Sequence, residues 1–256
     1  MRIITYNVLG LQGYPPGEAL EALGSLGGDA HIDHFAGVFA QLDADILALE
    51  EGVTAPMIKT IARRLGYLAA TFASPTAYPG HVLTRYPILE SRTFSHFDPV
   101  VEVVPFSRTA GAALLDVDGK ATWVVVVHLH PGEVEMRARE AALLDARVEE
   151  LMGAADRVGG RGDCNCDLDE RVHRDLQARG FVNAMERVGG GVQLTMDTVG
   201  ISPWRIDHIY ASPALAPGLR RAAVERRAGF RHDGPQVKGL WVHSDHLPVV
   251  AEFAGD

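Results

Sequence analysis

Short apolar runs that end on a carboxylate, an amide or an imidazole recur along the whole chain, and no other feature narrows the possible fold as much. Thr5-Tyr6-Asn7-Val8, Leu47-Ala48-Leu49-Glu50-Glu51, Gly162-Asp163-Cys164-Asn165, Arg205-Ile206-Asp207-His208-Ile209 and Ser244-Asp245-His246-Leu247-Pro248-Val249 all have this form. Polar groups are costly to desolvate unless they are paired or bound to a cation. Strand ends of this kind, spread over the whole chain, imply one cleft in which they converge. Such a cleft suits hydrolysis of a phosphate ester with a hard divalent metal.

The runs themselves are strand-like. Branched aliphatics and short length predict strands over Arg2–Asn7, Asp45–Leu49, His81–Thr84, Ala110–Val117, Ala121–His128, Arg205–Tyr210 and Leu247–Phe253. Helical periodicity fills the gaps at His31–Leu42, Ala55–Leu65, Glu133–Met152 and Glu170–Arg179. The third is the clearest, with Met136, Leu143, Leu144, Val148 and Leu151 apolar and Gly153 at its end. Asp118-Gly119 between two apolar runs is a hairpin signal. Strands joined partly by hairpins and partly by helices predict mixed sheets with helices packed outside. Without an internal repeat or a dividing linker, residues 1–256 are expected to form a single domain. Glycine and proline gather in Gly10–Gly28, Ser74–Gly80, Gly189–Gly191 with Gly200–Pro203, and Gly229–Gly239. These loops are assigned to substrate choice, because loops on a rigid scaffold commonly carry recognition.

Charge and composition restrict the partners. The formal net charge is −9, from 24 Lys and Arg against 33 Asp and Glu, and no basic run exceeds Arg220-Arg221 or Arg226-Arg227. Duplex nucleic acid held through many phosphates calls for a basic face, so tight nonspecific DNA binding is disfavoured. A metal can still supply positive charge locally. The longest pure apolar run is Trp123 to Val127, far short of the ~20 residues of a membrane helix. The strand pattern beginning at Met1 leaves no room for a signal peptide, and Cys164 and Cys166 are too close to close a useful loop. A reducing cytoplasm is the expected location.

Asn7 and Glu51 end neighbouring strand patterns with oxygen donors of the type that suits Mg²⁺, which needs only one or two protein carboxylates. Glu50 is expected to face the other way and not to bind metal. Asp163 and Asn165, at i and i+2, should share one face of an extended segment. They would set an anion able to orient water beside an amide able to donate to phosphate. Cys164 then points into the core. A zinc site on Cys164 and Cys166 would need a second Cys or His pair at the usual spacing, which the chain lacks. Asp207 and His246 make a carboxylate–imidazole pair in which the acid fixes the ring's tautomer. Asp245 could face the metal from the entrance of its strand. His128 closes the Trp123–Val127 run where a buried strand emerges, and His208 should pack on the face opposite Asp207. His130, His81 and Arg108 are candidate phosphate contacts at the periphery.

Taken together, these segments resemble the endonuclease/exonuclease/phosphatase superfamily with the deoxyribonuclease I-like fold. Its motifs look, in order, like Tyr6-Asn7-Val8, Leu49-Glu50-Glu51, Val127-His128-Leu129, Gly162-Asp163-Cys164-Asn165, Ile206-Asp207-His208-Ile209 and Ser244-Asp245-His246. His81-Val82-Leu83-Thr84-Arg85-Tyr86-Pro87-Ile88 is also similar to the family strand that ends in Ser-Arg-Tyr-Pro. The likeness spans nearly the whole chain. It implies an α/β fold, a four-layer α-β-β-α sandwich of two mixed sheets, and a phosphoesterase that uses Mg²⁺ or Mn²⁺. It assigns Asn7 and Glu51 to the metal with Asp245 nearby, and His128 and Asn165 to the phosphate. Asp163 becomes the water-orienting residue and Asp207–His246 the catalytic pair. Glu50 departs from the usual Gln and Cys164 from the usual aromatic or aliphatic residue. The tyrosine of the DNA-repair branch has no match.

The expectation is a single-domain hydrolase of a phosphodiester or phosphomonoester, acting by attack of water on phosphorus. The acidic balance favours a small or lipid-like ester over duplex DNA. A nuclease acting on DNA or RNA, or a non-catalytic binding module on the same scaffold, are the alternatives. Which of Asp163 and His246 takes the water proton, and whether one metal or two are bound, stay open at this level.

Overall fold

β-Branched and aliphatic runs pair into sheets here in a way that brings the polar strand ends to one side. The structure, a computed structural model, describes residues 1–96, 105–200, 203–232 and 237–255. Twelve strands are defined among the described residues: β1 Arg2–Asn7, β2 Ile46–Glu50, β3 Leu68–Phe72, β4 Gly80–Thr84, β5 Ile88–Thr93, β6 Thr109–Val117, β7 Lys120–His128, β8 Arg157–Asp163, β9 Val182–Asn183, β10 Asp207–Ala211, β11 Leu219–Val224 and β12 Val249–Phe253. The helices are α1 Pro16–Leu23, α2 Asp29–Leu42, α3 Ala55–Leu65, α4 Val134–Ala154, α5 Arg171–Ala178 and the short α6 Ala184–Val188. One six-stranded sheet runs β11-β12-β1-β2-β4-β3 and the other β5-β6-β7-β8-β10-β9. Both are mixed, as β1–β2 and β7–β8 are parallel and their other pairings antiparallel.

Alternation along β7 shows how the layers stack. Val124 and Val126 belong to the core between the sheets, whereas Trp123, Val125 and Val127 pack with Leu144, Val148 and Leu151 of α4 and Leu176 of α5. A strand buried on both faces reads as an unbroken apolar run, and this one does. On the other side, Ile32, Phe35 and Phe39 of α2 and Ile58 and Ile61 of α3 close the first sheet. The result is the expected four-layer sandwich. Fully burying each large aliphatic side chain contributes about 1.5–3 kcal/mol, so these two cores set the rigidity of the strand ends they carry.

The predicted elements recur with shifted ends, and several unpredicted ones join them. The hairpin forms, with the Gly119 amide donating to Asp116 Oδ1 at 2.8 Å. The expected Arg205–Tyr210 strand begins only at Asp207, and the expected Leu247–Phe253 strand only at Val249, which leaves Asp245 and His246 on the approach loop. The Gly10–Gly28 loop contains α1. Parts of the Gly200–Pro203 and Gly229–Gly239 loops lie outside the described residues. The unpredicted β8 is the most consequential. Its sequence, Arg-Val-Gly-Gly-Arg-Gly-Asp, has a single β former, Val158, yet it sits between β7 and β10. A Cβ on Gly160 would lie 2.6 Å from the Val125 carbonyl oxygen, and one on Gly162 would collide with the Val127 carbonyl and the Glu50 carboxyl. Glycine therefore lets β8 approach its neighbours closely enough to seat Asp163. Among the described residues no helix is long and apolar enough to cross a membrane.

Candidate active site

Register alone brings most of the polar residues together. Parallel pairing of β1 with β2 sets Asn7 opposite Glu50, and parallel pairing of β7 with β8 sets His128 opposite Asp163. Antiparallel pairing of β8 with β10 then sets Asp207 opposite Asp163. The two sheets meet where Asn7 Nδ2 donates to Asp163 Oδ2 at 3.0 Å. Asp163 is the hub, with Oδ2 3.6 Å from His128 Nε2 and 3.8 Å from His246 Nε2.

Just beyond their strands the chain turns sharply. Glu51 has φ of 47° and Asn165 φ of 51°, left-handed values that side chains other than glycine rarely adopt. Backbone strain of this kind concentrates at functional sites. At Asn165 this corrects the expected cause of its placement. It does not share a strand face with Asp163; its amide N donates to Asp163 Oδ1 at 2.9 Å and its Nδ2 to the Leu129 carbonyl at 2.9 Å. One amide hydrogen is left for a ligand. Cys164 points into the core as expected and is fully buried.

Burial and neighbouring charge divide the titrating groups. Burial, with Asp207 beside it, pushes the Asp163 carboxyl up to about 7. Burial opposes ionisation of Asp207 too, but the His246 ring and the Thr195 hydroxyl outweigh it and hold the carboxyl below its usual range. For His246, burial lowers the pKa, but Asp207, Asp163 and Asp245 outweigh it and hold the ring well above an ordinary imidazole. Its Nδ1 lies 2.9 Å from Asp207 Oδ2. His128 goes the other way: burial, then the Arg108 and His246 charges, lower it to about 3, so it is neutral at pH 7. Its buried Nδ1 has no protein partner.

Glu51, Asn7 and Asp245 form the oxygen-rich corner. Burial raises the Glu51 carboxyl, and the Asp245 charge raises it further. Asn7 Oδ1 accepts from the Leu9 amide at 3.1 Å, and the Ser244 hydroxyl ties Asp245's loop to the Asn7 carbonyl at 2.7 Å. Two carboxylates beside an amide oxygen are a donor set that fits a hard divalent cation. Asp163, Asp207 and His246 also have ligand atoms within 4.8 Å of one another. There, however, His246 is spent on Asp207 and carries its proton, so that trio is better suited to proton chemistry than to ligation.

The peripheral candidates part company. Arg108 stacks its guanidinium 4.0 Å above the Tyr78 ring, and its buried Nη1 has no protein partner. It faces the site, as its influence on Glu51 and His128 shows. His130 uses Nδ1 to accept from the Gly132 and Glu133 amides, at 3.1 and 3.0 Å, and so shapes the turn into α4. The expected phosphate contact at His81 is corrected. Its strand β4 lies between β2 and β3, its side chain is fully buried, and Nδ1 is 3.1 Å from the Thr71 hydroxyl. Glu50 does turn away from Glu51, but into the space between the sheets beneath Asp163, where Thr5 donates to its Oε1 at 2.8 Å. Burial holds its carboxyl well above the usual range. His208 packs on the far face against His173, ring centroids 4.6 Å apart.

Tyr78 and Thr195 escaped the sequence reading. Tyr78 lies between Arg108 and His128, its ring centroid 6.2 Å from that of His128. Thr195 Oγ1 accepts from the Asp207 amide at 3.1 Å. The position of Tyr78 in a Pro- and Gly-rich loop was its one signal.

Comparison with known proteins identifies the fold and the family. No curated protein sequence matches the chain. Among solved structures, the mannosyl-6-phosphatase Bt3783 of Bacteroides thetaiotaomicron VPI-5482 superposes with a TM-score of 0.76 at 16% identity, covering 100% of each chain. Truncated Caenorhabditis elegans TDP2 gives 0.71 at 19%, covering 99% of this chain and 97% of that one. The 3′ phosphatase NExo from Neisseria, bound to a product DNA hairpin, gives 0.70 at 20% over 100% of each. At these identities the likeness shows the fold. The sequence model of the Endonuclease/Exonuclease/phosphatase family matches residues 4–158, more than half of the chain, and the protein belongs to that family.

Proposed function

We propose that the protein is a Mg²⁺- or Mn²⁺-dependent phosphoric ester hydrolase acting by attack of water on phosphorus. The observation that carries this reading is the setting of Asp163, whose Oδ2 lies within 3.0 Å of Asn7 Nδ2, 3.6 Å of His128 Nε2 and 3.8 Å of His246 Nε2. A carboxylate with its pKa pushed up to about 7 is matched to accepting a proton at neutral pH. That assigns the water proton to Asp163. His246, held protonated by Asp207, then donates to a phosphoryl oxygen as charge builds there. Asn165, with its spare amide hydrogen, neutral His128 and the unfilled Nη1 of Arg108 bind the remaining phosphate oxygens. Glu51, with Asn7 and Asp245, would hold the divalent ion, which supplies charge neutralisation at the ester oxygens. Tyr78 keeps the guanidinium of Arg108 flat over its ring, so the donor fork is aimed before substrate arrives.

The net charge of −9 supports a small or lipid-like ester over duplex DNA. Turnover of a panel of phosphate mono- and diesters, with Mg²⁺, Mn²⁺ or chelator, tests the reading. Activity on at least one ester that chelator removes and Mg²⁺ restores is expected. No turnover anywhere in the panel would contradict it.

A further inference from the structure

A cleft of about 920 Å³ opens beside the reaction centre, and Asn165 forms part of its wall. That volume falls within the roughly 300–1,000 Å³ typical of small-molecule sites. Its lining also includes the turn between β8 and α5, carrying Asp167 and Asp169, the loop leading into β10, carrying Trp204 and Arg205, and apolar residues such as Leu194 and Met196.

Trp204 is 59% exposed, an unusual state for so large an apolar surface. Its backbone is nonetheless fixed. The Met196 amide donates to the Trp204 carbonyl at 3.1 Å and the Thr195 amide to the same oxygen at 2.9 Å. The indole is therefore a platform on a pinned loop. Glu170, also in the lining, is neutralised by Arg137, whose Nε donates to it at 2.8 Å. Asp167 and Asp169 are exposed and have no ion-pair partner among the described residues, and Arg205 is exposed and likewise unpaired. The unpaired charges number two negative and one positive.

Acceptor-only carboxylates and an aromatic face lining one cleft select among occupants. A strand of nucleic acid would bring further phosphates against Asp167 and Asp169. An acyl chain would leave those carboxylates facing hydrocarbon. A nucleobase could stack on Trp204 but offers few donors for two carboxylates. A ring bearing several hydroxyls suits these groups together: its C–H face covers the indole, its O–H groups donate to Asp167 and Asp169, and its oxygens accept from Arg205. We propose that this cleft holds the alcohol portion of the substrate, and that the alcohol is a neutral polyhydroxylated ring, so that the substrates are sugar phosphates. The proposal rests on the phosphoesterase reading above.

The test compares kcat/KM for hexose 6-phosphates, p-nitrophenyl phosphate, a lysophospholipid phosphate and a single-stranded oligonucleotide with a 3′ phosphate, all with Mg²⁺. The hexose phosphates should exceed the others by at least tenfold. The double substitution Asp167→Asn with Asp169→Asn, and separately Trp204→Ala, should raise KM for the hexose phosphate at least tenfold. The Asn variant should alter p-nitrophenyl phosphate turnover less than threefold. Preference for the oligonucleotide or the lipid, or unchanged KM in both variants, would overturn the proposal while leaving the phosphoesterase reading intact. Absence of turnover on every ester would instead sink that reading. The subsite then stands or falls on saturation-transfer NMR with methyl α-mannopyranoside and methyl α-glucopyranoside: signals from either, lost in Trp204→Ala, support it, and no signal from both overturns it.

Discussion

His246 Nδ1 sits 2.9 Å from Asp207 Oδ2 and 3.2 Å from Oδ1, joining residues 39 apart in the chain. Asp207 opens β10 in one sheet, and His246 lies on the loop that enters β12 in the other. The contact thus spans the sandwich at its reactive end, next to the Asn7–Asp163 bond that does the same. Both side chains are almost fully buried, so each would be costly to leave unpaired. With Nδ1 committed to Asp207, Nε2 is directed towards Asp163, 3.8 Å from its Oδ2.

Metal binding should depend on Glu51. Its carboxylate is the charged donor of the oxygen-rich corner that carries its own strained turn, at φ of 47°. Glu51→Gln keeps the size and removes the charge. Isothermal calorimetry should show Mg²⁺ affinity reduced at least tenfold, with an unchanged circular dichroism spectrum and turnover largely lost. Wild-type affinity in the variant would remove Glu51 from the metal site.

Gly162→Ala should be among the most damaging conservative changes in the chain. A methyl there meets the Val127 carbonyl and the Glu50 carboxyl at once, at φ of 145°. Overpacking of this kind costs typically about 1–3 kcal/mol. Urea denaturation should report a loss in that range, and the displacement of Asp163 should lower kcat more than it raises KM. A midpoint equal to wild type would show that β8 tolerates a side chain at this position.

Acid should destabilise the fold before its surface carboxylates titrate. Burial lowers the His81 pKa from 6.5 to about 4, and burial together with His208 lowers that of His173 from 6.5 to about 3. Each pKa is depressed on folding, so the stabilisation is whole above about pH 6.5 and is lost as pH falls through about 4 and 3. The slope is up to about 1.4 kcal/mol per pH unit for each ring. Denaturation curves between pH 7 and pH 4 should show falling stability, and His173→Gln should make the fall shallower. Equal slopes in the two proteins would mean that His173 is already charged in the folded state.

What could be read in the sequence depended on whether a residue's setting was local. β7 was evident because Trp123–Val127 is apolar on both faces, and Asp207 and His246 stood out as polar groups inside apolar segments. β8 was hidden because Gly160 and Gly162 answer to neighbouring backbone and to Glu50, and Gly159 to the Leu215 side chain, contacts made by distant parts of the chain. α1 was hidden by the glycines and prolines around it. The expectation for His81 failed for a related reason: a histidine on a strand reads the same at a sheet's edge or its interior, and β4 is interior. Simple alternation also misplaced Asn165, because its left-handed φ breaks the period of two. The stack of Arg108 on Tyr78 joins residues 30 apart and leaves no periodic trace.

The central claim is that Asp207 and His246 act as one unit beside Asp163 in ester hydrolysis, and a double-mutant cycle tests it most directly. Turnover of one phosphate ester at saturating Mg²⁺ is measured for wild type, His246→Ala, Asp207→Asn and the double variant. His246→Ala should cost at least ~100-fold, in line with general acid–base contributions. Asp207→Asn should cost less, and the double variant should be little worse than His246→Ala alone, since residues acting together are non-additive. Two losses that simply multiply would contradict the account, because they would show the carboxylate and the imidazole working independently.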